Sequence, residues 1–329
     1  MPRHEFLFVG GDRVHDLKTL GCHTEDLPMA STFYRENRVD FPATIANAVR
    51  VLAGRSATVK RLADIIRRFD PDLILTDYEL FTPLAAHKTG RECISLDHQH
   101  ILIHCKYEMP PHERVNRFLT CFSVGRLYSA ADRFMIISFF DVPPSDPTTT
   151  EVLPPVLRLA VKEHTPSEGD HILVYVTGKT FETLLSFLEG VNRKFIVYGF
   201  GERPSMGNLV FKSPSTHGFL EDLASCRYVI STAGHSTLSD SLYFGKPGLC
   251  FPINGAYEQF LNAYFLAKLG FGQYVSGVTI DMARLAAFEA QVDEYASRIR
   301  RYDFFGNDLV AARLEELING GTKEKRRRQ

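Results

Sequence analysis

The chain lacks several features that would assign it a class at once. In 329 residues, no stretch approaches the roughly 20 uninterrupted apolar residues of a spanning helix, and the N-terminus does not read as a secretory signal. Charge of one sign is missing too. A formal net charge of -1 gives no global pull toward nucleic acid or an anionic surface. No basic and aromatic surface pattern marks a nucleic-acid binder. Six cysteines (Cys22, Cys93, Cys105, Cys121, Cys226, Cys250) form no C-x-x-C pair, which argues for reduced, mostly buried thiols and a cytoplasmic location. No repeat of 20 to 50 residues is present. No carboxylate triplet suggests magnesium, and Asp70-Pro-Asp72 sits at a strand entry, where it reads as a helix stop. His98, His100 and His104 do not read as a metal set, because the intervening Ile-Leu-Ile looks like strand or core. Gly199-Phe-Gly201 is too short for a dinucleotide fingerprint.

What is present is an alternation of short apolar runs with longer helical patterns, the signature of parallel α/β layers. Strands are expected at Glu5–Val9, Leu73–Thr76, Glu92–Leu96 and Phe134–Ser138, with a weaker one near Cys22–Leu27. Others are expected at Ile172–Val176, Phe195–Tyr198, Leu209–Phe211, Tyr228–Ser231 and Gly248–Phe251. Ile45, Val49, Leu52, Val59, Leu62 and Ile66 recur at helical steps, predicting one helix over Ala43–Phe69. Further helices are predicted over Ser236–Phe244, Ala256–Leu269 and Met282–Ile318. Proline-rich turns from Asp141 to Thr150 and at Leu153–Val156 place a linker between two halves. The division is residues 1–150, residues 151–318 and a basic tail, 319–329, read as a disordered, solvated end or a peripheral membrane contact.

The chemistry concentrates after the run Arg227–Ile230, in Ser231-Thr-Ala233-Gly234-His235-Ser236-Thr237-Leu-Ser-Asp240. A helix start carries unpartnered N–H groups and about half a positive charge, so a loop of small residues there admits a phosphate closely. The alternative is that Ser236 or Thr237 simply caps its own helix. Beyond the helix come Gly245-Lys-Pro and then Tyr257-Glu258-Gln259-Phe-Leu-Asn262-Ala263.

From about Ile172 to Gly272, the ordered set of strand, T-x-S-D, G-K-P, E-Q-x-x-N-A and L-G-x-G resembles the C-terminal domain of GT-B glycosyltransferases. Families 28 and 1 are the most similar. The resemblance implies an α/β GT-B fold of two Rossmann-like domains facing a cleft. It implies that Ala233–Thr237 hold a nucleotide diphosphate and that Asp240, where these families usually have Glu, grips the ribose. Glu258 and Gln259 would bind donor-sugar hydroxyls, Gly178 belongs to a turn below the donor cleft, and Phe219 lines the base pocket. Phe219 reads equally well as helix-packing core. Asp72–Glu79, Ile94–His100 and Pro154–Arg158 resemble a narrower GT-B family with members labelled teichoic acid biosynthesis proteins.

In such enzymes a first strand, a G-x-G-H turn and a helix precede the "G-H-E-V-x-F" strand, which here is matched by Arg3–Val9. Those earlier elements are absent from the sequence, which implies an upstream start or a strand supplied from elsewhere. It also implies two interior strand edges without a ladder partner. The early His is the family's general base, and Asp77 matches the acid that orients it. Asp77, Asp97 and His98 are the catalytic candidates: Asp77 as the orienting acid, and Asp97 and His98, with Glu79 and His100, as substitutes for the base, since all follow strand ends where ligands bind; His98 and His100 also read as a satisfied polar turn.

The expected activity is metal-independent sugar transfer from a nucleotide-diphosphate sugar, UDP-linked by preference, to an unknown acceptor, lipid-linked or glycan. No cofactor beyond that donor is expected, and no nucleic acid. The alternatives are a non-catalytic nucleotide-sugar binder, or a subunit completed by another chain, and a GT-B sugar epimerase.

Overall fold

The computed structural model describes residues 4–11, 14–27, 34–35, 38–176, 181–201, 203–213 and 215–328. Its N-terminal half begins with β1 (Leu7–Gly10), α1 (Val14–Thr19) and β2 (His23–Asp26), the two strands pairing in parallel. A short antiparallel hairpin, β3 (Tyr34–Arg35) and β4 (Arg38–Val39), follows. The single helix predicted over Ala43–Phe69 is two, α2 (Phe41–Ala53) and α3 (Arg55–Phe69), because the chain breaks at Gly54, a poor helix former. Asp40 caps α2 through the Ala43 N–H, and Asp70 ends α3 in a left-handed turn before Pro71.

Next come β5 (Ile74–Thr76), α4 (Thr82–Lys88), β6 (Cys93–Asp97), α5 (Ile101–His104), α6 (Arg114–Leu127), β7 (Arg133–Ile137) and β8 (Thr150–Leu153). The Ile-Leu-Ile between His100 and His104 is thus one turn of helix rather than strand. Strand β8 lies inside the stretch read as a linker. Its Thr-Glu-Val-Leu pairs with β7 and completes a parallel sheet of order β5-β6-β7-β8.

In the C-terminal half, β9 (His171–Tyr175), α7 (Glu182–Glu189), β10 (Lys194–Tyr198), β11 (Leu209–Phe211), α8 (Thr216–Ser225), β12 (Val229–Ser231), α9 (His235–Tyr243), β13 (Gly248–Cys250), α10 (Tyr257–Lys268) and β14 (Gly272–Tyr274) alternate. All six strands are parallel, in the order β11-β10-β9-β12-β13-β14. That is the doubly wound order, and its direction reverses between β9 and β12, where ligands bind beyond the strand ends. The L-G-x-G pattern has a packing cause. A Cβ on Gly272 would lie 1.9 Å from the Gly248 carbonyl oxygen, so a side chain there would force β13 and β14 apart.

The helix predicted over Met282–Ile318 is three: α11 (Met282–Glu289), α12 (Val292–Ile299) and α13 (Asn307–Arg328). The last crosses back to the N-terminal sheet, where Val310 and Leu314 pack on Ile94, Met135 and Leu153. It also continues through the tail read as disordered, since Lys, Glu and Arg are good helix formers. Among the described residues no helix is long and apolar enough to cross a membrane, and all six cysteines are unpaired.

The N-terminal sheet is interrupted. Among the described residues β1 pairs only with β2, and β5 only with β6, although Val9 of β1 packs against the cluster containing Ile74 of β5. Among the described residues these two parallel edges have no ladder partner. One apolar cluster joins the halves, with Ile101, Val124 and Phe134 meeting Ala233, Tyr257 and Leu266. Across this contact Phe140 and Phe265 stack at 4.1 Å.

Candidate active site

Strand β12 is fully buried, and its end delivers Ser231 beneath the loop that leads into α9. Ser231 Oγ accepts from the Ala233 N–H, at 3.2 Å, and Ala233 takes a left-handed φ of 63°, which turns the chain sharply into the helix. Gly234 is the N-cap of α9, and no side chain makes a cap hydrogen bond. The hydroxyls of Ser236 and Thr237 are therefore not used to cap their own helix. Ser236 is exposed and Thr237 half-buried, so a small polar rim surrounds the positive end of the helix.

Behind this loop a polar network runs between the halves. Asn262, fully buried in α10, donates from Nδ2 to the Ala233 carbonyl and to Glu258 Oε1, both at 3.1 Å. These bonds turn its Oδ1 toward His98 Nε2, 2.7 Å away. The other ring nitrogen of His98, Nδ1, faces the Ile137 carbonyl at 2.8 Å. Both nitrogens of this buried ring thus meet acceptors, and neither is open to a substrate hydroxyl. His235, the first residue of α9, stacks on His98 at 3.9 Å. Burial, then the neighbouring His98, hold the pKa of His235 well below its usual value. A neutral imidazole therefore sits under the loop.

Asp240 is buried in the second turn of α9 and pairs with Arg158, which emerges half-exposed from the chain after β8. Burial raises the Asp240 pKa and Arg158 opposes that rise. The Arg158 guanidinium also lies 5.9 Å from the ring centre of Phe219. Phe219, in α8, packs edge-on against Tyr175 and Tyr198, so it is core-packed and adjacent to Asp240's partner at once. Glu258 is tied to Asn262, and the Gln259 Oε1 accepts from the Ile253 N–H at 3.0 Å. Gly178 lies outside the described residues. Lys246 of the G-K-P segment points away from this loop, donating to the Ser167 carbonyl at 2.5 Å.

In the N-terminal half Asp77 follows β5 directly, next to Tyr78, which holds a left-handed φ of 49° and stacks on Tyr128 at 4.2 Å. Asp77 keeps contact with solvent, yet the crowding around its carboxyl, and then the charge of Asp97, raise its pKa. Asp97 itself is enclosed. It accepts from Ser95 Oγ at 2.5 Å, from the His100 N–H at 2.9 Å and from His100 Nδ1 at 2.7 Å. Burial alone would raise its pKa, but His100 and Ser95 together bring it below the usual value. Glu79 accepts from the N–H groups of Phe81 and Thr82 and so anchors the start of α4. Of the N-terminal candidate carboxylates, Asp77 is exposed, Glu79 is half-buried with both oxygens already accepting N–H groups, and Asp97 is buried. Among the described residues no group of three His, Cys, Asp or Glu side chains could hold a metal.

Sequence reading passed over the central role of Asn262. It stood in the E-Q-x-x-N-A pattern, but an amide on an otherwise apolar helix face gives no sign of a partner 164 positions away. Arg158 was likewise only part of a Pro-Pro-Val-Leu-Arg match. Its pairing with Asp240 depends on the crossover between the halves.

The arrangement is a doubly wound sheet presenting a small-residue loop and helix start to a second parallel α/β half. The comparisons make the class specific. The profile of "Glycosyl transferase family 1" matches residues 4–293, and the chain belongs to that family. An "Uncharacterized glycosyltransferase" of Methanosarcina acetivorans is 30% identical over 112 residues, a match spanning 32% of this chain and 30% of that protein's length.

Among solved structures, the glycosyltransferase SnogD from Streptomyces nogalater is similar at a TM-score of 0.60 and 16% identity, covering 95% of this chain and 91% of the other. The glycotransferase of kitacinnamycin gives 0.64 and 15%, covering 98% and 91%. The calicheamicin glycosyltransferase CalG4 gives 0.61 and 14%, covering 96% and 91%. The fold is GT-B, and the protein is a glycosyltransferase.

Proposed function

We propose that the protein transfers a sugar from a nucleotide-diphosphate donor, UDP-linked by preference, to an acceptor hydroxyl held by the N-terminal half, without a metal. The observation that carries this reading is the uncapped start of α9 behind Ala233 and Gly234. There the N–H groups and the helix dipole meet the charge that builds on the leaving diphosphate as the glycosidic bond breaks. Ser236 and Thr237 add hydroxyl donors. Asp240 takes the ribose hydroxyls, which requires Arg158 to yield its place on that carboxylate. Glu258 and Gln259 meet the sugar.

Asp77 is the general base in this reading. It accepts the proton of the acceptor hydroxyl as that oxygen attacks the anomeric carbon. Its raised pKa moves it toward the range where a carboxylate accepts protons well near neutrality. Asn262 and His98 are positioning residues, holding the Ala233 loop in register with the N-terminal half. The reduced cysteines fit the cytoplasm, where nucleotide sugars are available.

The test is to incubate the protein with individual nucleotide sugars and follow release of the free nucleotide diphosphate. Release from one nucleotide class that is lost in Asp240→Ala supports the donor assignment. Release unaffected by that change refutes it.

A further inference from the structure

Helix α6 has two apolar faces where a surface helix needs one. Its inner face carries Val124, buried in the cluster shared by the halves, with Cys121 packed beside it. Its outer face carries Val115, Phe118, Leu119 and Phe122, spaced as i, i+3, i+4 and i+7, and exposed by 71%, 67%, 55% and 64%. Phe118 and Phe122 stack on one another at 6.2 Å and touch nothing that would hide them from water. Single exposed apolar residues are ordinary; a continuous stripe with two phenylalanines marks a contact surface.

The charges on the helix are of one sign. Arg114, Arg117 and Arg126 lie on α6, and none of its 14 residues is acidic. Arg114 and Arg126 are exposed, while the Arg117 guanidinium sits 4.6 Å over the Tyr107 ring. The nearest carboxylate in sequence, Glu113, precedes the helix and binds the Asn116 amide at 2.9 Å.

We propose that this face of α6 docks on an anionic lipid surface. The helix would lie in the plane of the interface, with Phe118 and Phe122 at the headgroup and acyl boundary and the exposed Arg114 and Arg126 against lipid phosphates. At 14 residues it is too short to span. A second copy of the chain fits less well. A two-fold interface sets the same patch against itself and would bring the arginines of both copies together. The inference does not depend on the donor-site reading. Its bearing on function is positional: Val124 shares its cluster with Ala233, so a surface-bound α6 sets the inter-domain site beside the membrane.

The test is co-sedimentation of the full chain with phosphatidylcholine vesicles, with or without phosphatidylglycerol. Binding to the mixed vesicles alone is expected, falling as salt rises. It should be lost in Phe118→Glu/Phe122→Glu and weakened about thirtyfold when Arg114 and Arg126 become Gln. The chain has no tryptophan, so Phe118→Trp supplies a single reporter whose emission should shift to the blue on mixed vesicles. Two outcomes overturn the proposal. One is a wild-type chain that ignores mixed vesicles, with no shift in the Phe118→Trp emission. The other is a concentration-dependent dimer, abolished by Phe118→Glu/Phe122→Glu, in a chain that does not bind lipid; that result would assign the face to a second copy.

Discussion

The two halves are built on the same strand–helix alternation, yet one sheet is continuous and the other is not. In the C-terminal half, β9 lies at the centre with partners on both sides, and its backbone groups are paired from edge to edge. In the N-terminal half, β1 and β5 each pair on one side only among the described residues. The Ala233 loop is thus supported by a sheet paired on both sides, whereas Asp77 leaves from a strand that, among the described residues, pairs on one side only. A rigid element fixes side chains to fractions of an ångström, so, on the proposed function, the donor site at Ala233–Thr237 should be preformed and the acceptor site around Asp77 the more yielding of the two.

The largest effect is expected from Asp77→Asn, which should lower the turnover of sugar transfer about 10²–10⁴-fold while leaving nucleotide affinity unchanged. Steady-state kinetics beside a binding titration would separate the two. A comparable loss of nucleotide affinity would place Asp77 in the donor half's work instead. Asp240→Asn should do the reverse, weakening nucleotide about tenfold or more, the worth of a hydrogen bond to a charged group. An unchanged dissociation constant would remove Asp240 from the donor site.

Asn262→Leu tests the link between the halves. It leaves the Ala233 carbonyl and His98 Nε2 without their buried partner, at a cost of about 1–3 kcal/mol for each such group. A lowered unfolding midpoint together with weaker nucleotide binding is expected. Loss of stability alone would confine Asn262 to packing.

The pH dependence should differ between the carboxylates. Asp77 must be ionised to act as base, and its pKa is raised, so activity should climb with pH through a limb lying above the value of a free aspartate, about 3.9. A limb at or below that value would contradict the assignment. Asp97 has the opposite sign. Its folded pKa is lowered, so its stabilisation is complete above the unfolded pKa and is lost as pH falls through the folded one. Asp97→Asn should flatten the acid side of the stability curve, measured by chemical denaturation.

The smallest effect concerns the sheets themselves. Amide exchange should be slowest in β9 and β12 and markedly faster in β1 and β2. Equal protection would mean that the interruption has no energetic consequence.

Much of this was legible in the residues. β9, β10, β11, β12 and β13 were marked by short apolar runs, and Gly270, with a φ of 70°, by the end of its helix pattern. The loop at Ala233–Thr237 announced itself through small residues between a strand and a helix. What escaped notice were elements whose residues carry mixed signals. Thr150-Glu-Val-Leu153 is a strand because Phe134–Ile137 offers it an edge, yet prolines on both sides made it read as linker. The double-faced α6 gave no clean period. Side-chain partnerships across the halves, Asn262 with His98 and Arg158 with Asp240, depend on a tertiary contact that no local pattern encodes.

On the proposed function, the start of α9 holds a nucleotide diphosphate. Calorimetric titration of the chain with UDP, GDP, CDP and dTDP, repeated with Asp240→Ala, measures that binding. Tight binding of one nucleotide, UDP by preference, weakened by the substitution, is the predicted result. A folded chain that binds none of the four, or binds one equally well without Asp240, would contradict it.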